Sequence, residues 1–216
     1  MSRVDLVIFD CDGVLVDSER LLVRAEREIL ARLGWSLSET EVIERFVGRD
    51  DVYMQATIEA QLGRSVDWEA EFNAHCRQIL ARELVAVAGI EDALDDLATS
   101  TCVASNGSHE TMRLTLSVTN LLHRFEGRIF SADDVAFAKP APDVYLHAAS
   151  SMGVAPSRCI VVEDSVSGVT AGLAAGMTVL GFSGSVTSAH RLASAGAIVF
   201  DSMSELTRLV RDASAA

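Results

Sequence analysis

The chain has 216 residues, with 18 Lys and Arg against 31 Asp and Glu, a net charge of −13, and 49% hydrophobic and 23% charged residues. That balance excludes a disordered or fibrous chain. The acidic surplus argues against nucleic acid and membrane as partners, because both recruit clustered Lys and Arg. An anionic substrate must then be drawn in locally, by a metal ion or a few fixed cations.

The length predicts one compact body, or one domain carrying an inserted second, since domains run roughly 100–200 residues. A monomer is expected. Met1 to Asp10 lacks the basic start and small-residue exit of a signal peptide. Cys11, Cys76, Cys102 and Cys159 form no Cys-x-x-Cys, and three of them lie in apolar, strand-like runs. Buried thiols in a reducing compartment are the expectation, hence a cytoplasmic protein.

The first predicted strand is Val4 to Asp10, and it ends in the acidic turn Asp10-Cys11-Asp12-Gly13. From about Asp17 to Arg82 the pattern is helical instead, over Glu19 to Leu33, Asp51 to Leu62 and Asp67 to Arg82, with both tryptophans, Trp35 and Trp68. Strands return at Thr101 to Ser105, followed by Asn106-Gly107-Ser108, and at Arg128 to Ser131. A loop with Ala138-Lys139-Pro140 then precedes a helical run starting near Pro142. The fourth strand, Cys159 to Glu163, leads into Asp164-Ser165. Val166 to Phe182 reads as a helix packed on a sheet and then a strand from Met177, and not as a membrane span. Within it, Gly168 and Gly172 share a helix face and allow close backbone approach to the sheet. A last strand, Ala197 to Phe200, comes before an Ala/Ser tail, Ala213 to Ala216, expected to fray.

Strands alternating with helices predict an α/β fold: a Rossmann-like parallel sheet flanked by helices, with an inserted helical cap. The boundaries expected are residues 1–14 and 85–216 for the core and 15–84 for the cap. In such sheets ligands bind beyond the carboxyl ends of the strands, where the polar clusters fall.

Those clusters suit phosphoryl transfer, which needs a nucleophile, a counter-charge and a proton source for the leaving oxygen. Asp10 is the candidate nucleophile, with one oxygen on Mg²⁺, and Asp12 the general acid and then base, its backbone carbonyl serving the metal. Asp164 completes the metal shell with Glu163 beside it as a supporting partner. Ser105 and the N–H groups near Asn106 hold phosphoryl oxygens, and Lys139 neutralises them and pairs with the nucleophile. Each piece also has a plain structural reading. Asp12-Gly13 alone makes a turn, Ser105 and Asn106 can cap a helix, Glu163 and Asp164 suit a helix N-terminus, and Lys139 can be a solvated loop lysine. Arg49, a candidate to greet an anionic substrate, reads equally well as a surface arginine. The five scattered histidines suggest no metal site.

Asp10-Cys-Asp-Gly-Val-Leu-Val-Asp-Ser-Glu19, Ser105-Asn-Gly, Lys139-Pro-Ala-Pro-Asp143 and Val161-Val-Glu-Asp-Ser-Val-Ser-Gly168 resemble, in order and spacing, the four motifs of the haloacid dehalogenase superfamily. The resemblance covers essentially the whole chain and points to the superfamily's phosphatase and β-phosphoglucomutase-like branch. Within it, Ser2-Arg3-Val4, Asp10-Cys11-Asp12, Arg45-Phe46-Val47-Gly48 and Ser105-Asn106-Gly107 are similar to bacterial 6-phosphogluconate phosphatases. The resemblance implies Mg²⁺-dependent hydrolysis of a small phosphorylated metabolite through an aspartyl-phosphate at Asp10. A mutase is the enzymatic alternative, but the cap histidine of that family is matched here by Leu22. A dehalogenase is disfavoured because that branch lacks an aspartate at the position of Asp12. The non-enzyme alternative is a phosphoacceptor signalling module, which has no helical insert of this size.

Overall fold

The structure, a computed structural model, describes residues 4–47, 49 and 51–215; Ser2, Arg3 and Gly48 of the motifs above lie outside them. The chain divides into two compact units, one of residues 1–17 with 85–216 and the other of residues 18–84.

The first unit opens with β1 (Leu6–Phe9), fully buried as its run of four apolar residues requires. The chain then enters the second unit, built from α1 (Glu19–Leu33), α2 (Glu39–Phe46), α3 (Asp51–Leu62) and α4 (Trp68–Glu83). Gly34 ends α1 in the left-handed region (φ 102°), where a glycine carries no side-chain penalty. Ala25 of α1 packs with Cys76 and Ile79 of α4, and Leu22 lies against the same cluster. The sequence reading left α2 unmarked. Its start is set by a capping box in which Ser38 Oγ accepts from Glu41 N (3.2 Å) and Glu41 Oε2 accepts from Ser38 N (2.8 Å).

Back in the first unit come α5 (Ile90–Asp96), β2 (Ser100–Ser105), α6 (His109–Val118), α7 (Leu122–Phe125), β3 (Ile129–Ser131) and α8 (Asp143–Ser151). They are followed by β4 (Cys159–Glu163), α9 (Val166–Ala174), β5 (Thr178–Phe182), α10 (Ala189–Ala195), β6 (Ile198–Phe200) and α11 (Leu206–Ala215). The six strands form one parallel sheet in the order β3-β2-β1-β4-β5-β6, each within one or two residues of its expected position. The tail expected to fray is helical through Ala215, because α11 docks on the unit through buried Leu206 and Val210.

Side-chain parity assigns the two faces of the sheet. Leu6, Ile8, Cys102, Ala104, Cys159 and Val161 point to one side, where Tyr145 and Ala148 of α8, Val169 of α9 and Leu192 of α10 complete the core. Phe9 points to the other, with its ring 6.3 Å from Phe125 of α7. Fully burying side chains of this size contributes about 1.5–3 kcal/mol each. All four cysteines are buried free thiols. Among the described residues no helix is long and apolar enough to cross a membrane.

From β1 the chain winds outward through β2 and β3; from β4 it winds the opposite way through β5 and β6. The reversal leaves a crevice between the carboxyl ends of β1 and β4. Asp10 and Asp164 each follow directly on one of these strands.

Candidate active site

Sheet register brings the first acidic residues together. Leu6 pairs with Cys159 and Ile8 with Val161, and Asp10 N extends the ladder by donating to Val162 O at 3.0 Å. Asp10 therefore keeps the parity of Ile8, and Glu163 that of Val161, which sets the two carboxylates side by side on the face covered by α8. Asp10, Glu163 and Asp164 are buried, and each offers one carboxylate oxygen within 4.8 Å of the others.

Lys139 enters this cluster from the loop before α8. Its Nζ donates to Asp10 Oδ1 (2.6 Å), Glu163 Oε1 (2.8 Å) and Ala104 O (2.9 Å), so the three N–H groups join three adjacent strand ends. The ammonium also lies 4.6 Å from the ring centroid of Tyr145, whose hydroxyl donates to Glu163 Oε1 at 2.8 Å. With its side chain 4% exposed, Lys139 is no solvated loop lysine. Asn106 fastens the same loop: its Oδ1 accepts from Lys139 N (2.9 Å) and its Nδ2 donates to Lys139 O (3.3 Å).

The oxygens of Glu163 are each held twice. Lys139 and Tyr145 take Oε1, and Ser165 donates to Oε2 through both N (2.9 Å) and Oγ (2.8 Å). Ser165 Oγ also accepts from Gly168 N at 2.9 Å and so caps α9. Glu163 thus ties Lys139 to the start of α9.

After β1 the chain turns sharply, with Gly13 N donating to Val16 O (2.8 Å) and Val16 N to Cys11 O (3.1 Å). Gly13 adopts φ +72°, and a methyl group there would fall 2.0 Å from Asp164 Oδ2, so only glycine fits. Asp12, on this turn, is half-buried. A methyl group on Gly107 would lie 3.6 Å from Ser105 Oγ and 3.9 Å from Asp12 Oδ2. The turn and the β2–α6 loop therefore face one another across the strand ends. Ser105 is buried and its Oγ accepts from Gly107 N at 3.2 Å.

Burial pushes the Asp10 carboxyl up to about 7; Lys139 opposes the shift and Glu163 adds to it. Burial acts in the same direction on Glu163, but Lys139 and the Ser165 donors outweigh it and hold that carboxyl below its ordinary value. Burial alone would lower Lys139, yet Asp10 and Glu163 more than offset it and keep the amine charged. The two carboxyls differ because Glu163 has four donors on its oxygens.

The cluster is an all-oxygen donor set, which fits a hard divalent cation such as Mg²⁺. Asp10 and Asp164 are the residues suited to hold it, since the oxygens of Glu163 already serve Lys139, Tyr145 and Ser165. The carboxylate of Asp12 is not part of the cluster.

Arg49 belongs to the helical unit, where it is exposed and its guanidinium lies 5.1 Å from the ring centroid of Tyr53. In the same unit Arg45 lies 5.8 Å from that of Trp35, beside a cleft of about 520 Å³ that both residues line with Tyr53, Thr57 and Gln61.

The sequence reading missed Tyr145, Ser165 and the fastening role of the Asn106 side chain. The signal for Ser165 was present as a Ser three residues before Gly168 at a strand-to-helix junction, the position of an N-cap. Tyr145 carried no local signal, since only the packing of α8 on the sheet brings its hydroxyl to Glu163.

Comparison with known proteins agrees with this architecture. The chain is 36% identical over 185 residues to a 6-phosphogluconate phosphatase of Escherichia coli, covering 84% of each chain. It is 31% identical over 187 residues to hexitol phosphatase B of the same species, covering 79% of each. A crystal structure of a haloacid dehalogenase family hydrolase from Deinococcus radiodurans, with bound phosphate and sodium, superposes with a TM-score of 0.86 at 31% identity, over 99% of this chain and 97% of that one. A family profile described as haloacid dehalogenase-like hydrolase matches residues 4–176. With that profile spanning most of the chain, and a sheet whose crevice carries a lysine-bound aspartate, the protein belongs to the haloacid dehalogenase-like hydrolases.

Proposed function

We propose that this hydrolase is a Mg²⁺-dependent phosphatase acting on a small sugar phosphate, with 6-phosphogluconate as the foremost candidate substrate. The observation that carries the reading is the buried Lys139–Asp10 contact of 2.6 Å beside Asp164, with Asp12 and Ser105 facing each other over the same strand ends. The phosphatase names of the relatives at 36% and 31% identity support the substrate class.

Lys139 holds Asp10 Oδ1, which leaves Oδ2 as the attacking oxygen. Asp10 Oδ2 forms a bond to phosphorus as the ester P–O bond breaks, and Asp12 gives its proton to the departing alkoxide. Water then attacks the aspartyl-phosphate while Asp12 takes a proton from it, releasing inorganic phosphate and restoring Asp10. Ser105 Oγ and the N–H groups at the start of α6 bind the phosphoryl oxygens, where a helix N-terminus favours negative charge. Asp10, Asp164 and the Asp12 carbonyl would hold Mg²⁺, which would supply further neutralisation of the developing negative charge. In this reading residues 15–84 act as a cap that sets specificity, and Arg49 pairs with the carboxylate of the substrate.

The test is phosphate release from a panel of phosphorylated sugars and sugar acids with Mg²⁺. Wild type turns over 6-phosphogluconate fastest, Asp10→Asn is inactive, and Asp12→Asn is slower by about 10²–10⁴. Turnover by Asp10→Asn overturns the mechanism. A neutral hexose phosphate outranking 6-phosphogluconate overturns only the substrate assignment.

A further inference from the structure

The loop between β5 and α10 runs past the end of β4, and it carries a hydroxyl with no partner. Ser185 Oγ is enclosed and makes no hydrogen bond. The loop that presents it is fixed: Ser183 N and Oγ both donate to Phe200 O, at 2.9 and 3.2 Å. A methyl group on Gly184 would strike the Phe182 ring at 2.2 Å, so the backbone there lies against the aromatic face. Ser185 Oγ is directed at the carboxylate edge of the sheet. The position that bars a side chain at Gly13 lies 2.0 Å from Asp164 Oδ2 and 3.0 Å from Ser185 Oγ. One hydroxyl and one carboxylate therefore converge on the same glycine.

A buried hydroxyl without a partner costs free energy, and a native chain keeps one where a ligand supplies the partner. Mg²⁺ retains several of its waters when bound by one or two carboxylates. We infer that Ser185 is a positioning residue of the cation site, its hydroxyl bonding a water of the ion that Asp164 holds. The inference rests on the assignment of Asp164 as a ligand under the proposed function. Such outer partners orient the coordinated groups, and their loss weakens metal affinity.

The test is calorimetric titration of Mg²⁺ into the metal-stripped full chain without substrate, beside its melting temperature in EDTA. Ser185→Ala should weaken Mg²⁺ binding by about tenfold, the low end of the effect of losing an outer partner. Ser185→Thr, which keeps the hydroxyl, should restore wild-type affinity. In EDTA, Ser185→Ala should melt at or above the wild-type temperature, because it removes an unsatisfied group; a packing role would instead lower that temperature and leave Mg²⁺ affinity alone. Should Ser185→Ala fail to fold, Ser185→Cys takes its place, and unchanged Mg²⁺ affinity in it overturns the inference. Asp164→Asn separates the two levels. If it loses Mg²⁺ while Ser185→Ala does not, the role of Ser185 is wrong; if it keeps Mg²⁺, the ligand assignment itself is wrong.

Discussion

Tyr145 supports the two charges around Asp10 in different ways, its ring beneath the Lys139 ammonium and its hydroxyl on Glu163 Oε1. Tyr145→Phe keeps the ring and removes one donor from a buried carboxylate that retains three. Hydrogen bonds to charged groups contribute about 1.5–3 kcal/mol, so urea unfolding should show a loss of that order. Tyr145→Leu should lose more, since the cation–π contact goes as well. Equal stability of wild type and Tyr145→Phe would mean that the hydroxyl contributes nothing to holding Glu163. Legibility at this scale depended on chain neighbours. Asp10, Asp12, Ser105, Lys139 and Asp164 stand at strand ends or beside a turn glycine or proline, and such punctuation is visible in one dimension. The pairing of Asn106 with the Lys139 peptide spans 33 residues and comes from the fold alone.

The helix α9 shows one element using glycine for three purposes. Gly176 takes the left-handed conformation (φ +75°) that ends it. Gly172 lets it approach the sheet, since a methyl group there would lie 2.7 Å from Val179 Cγ2. Gly168 leaves room for Glu163, whose Oε1 would be 1.6 Å from an added methyl group. The two interior positions therefore predict different failures. Gly172→Ala gains up to about 1 kcal/mol of helix propensity. It loses about 1–3 kcal/mol to overpacking against the short, stiff Val179. The net effect is lower stability with turnover per folded molecule intact. Gly168→Ala displaces Glu163, and with it Lys139, so turnover falls even in the folded fraction. Comparing kcat with urea stability in the two variants checks this, and equal kcat losses would show that α9 does not separate packing from chemistry. The sheet was legible because each strand is a short Val- and Ile-rich run bounded by turn residues. In α2, Glu39, Glu41 and Glu44 dilute the apolar pattern within eight residues, and only its Ser38–Glu41 capping pair marked its start.

At the scale of the whole molecule, the site adds its own pH dependence to stability. Most native carboxylates titrate low and lose their stabilising contribution in acid, as Glu163 does below the ordinary carboxylate range. Asp10 runs the other way. Its carboxyl rises from 3.8 to about 7 on folding, chiefly through burial, so between those values the folded state holds a proton that the unfolded chain has released. Unfolding then becomes easier as pH rises: the contribution is complete below the unfolded value and gone above about pH 7. The slope for one such group is at most about 1.4 kcal/mol per pH unit. Above pH 5 the shifted carboxyls Glu41, Glu59, Asp95, Asp134 and Glu163 are mostly ionised in both states, while the raised thiols, Tyr145 and Lys139 change protonation mainly above pH 8. Among these shifted groups, Asp10 is the one whose change falls between pH 5 and 8. In EDTA the melting temperature of the wild type should fall relative to that of Asp10→Asn between pH 5 and 7, and the difference should level off by pH 8. Asp10→Asn, uncharged throughout, lacks this contribution and serves as the reference. Excess Mg²⁺ should raise the wild-type melting temperature most at the alkaline end, where Asp10 is already ionised and binds without releasing a proton. The measurement is a set of melting curves for both proteins across that range, and an equal decline in Asp10→Asn would show that Asp10 is not the group responsible.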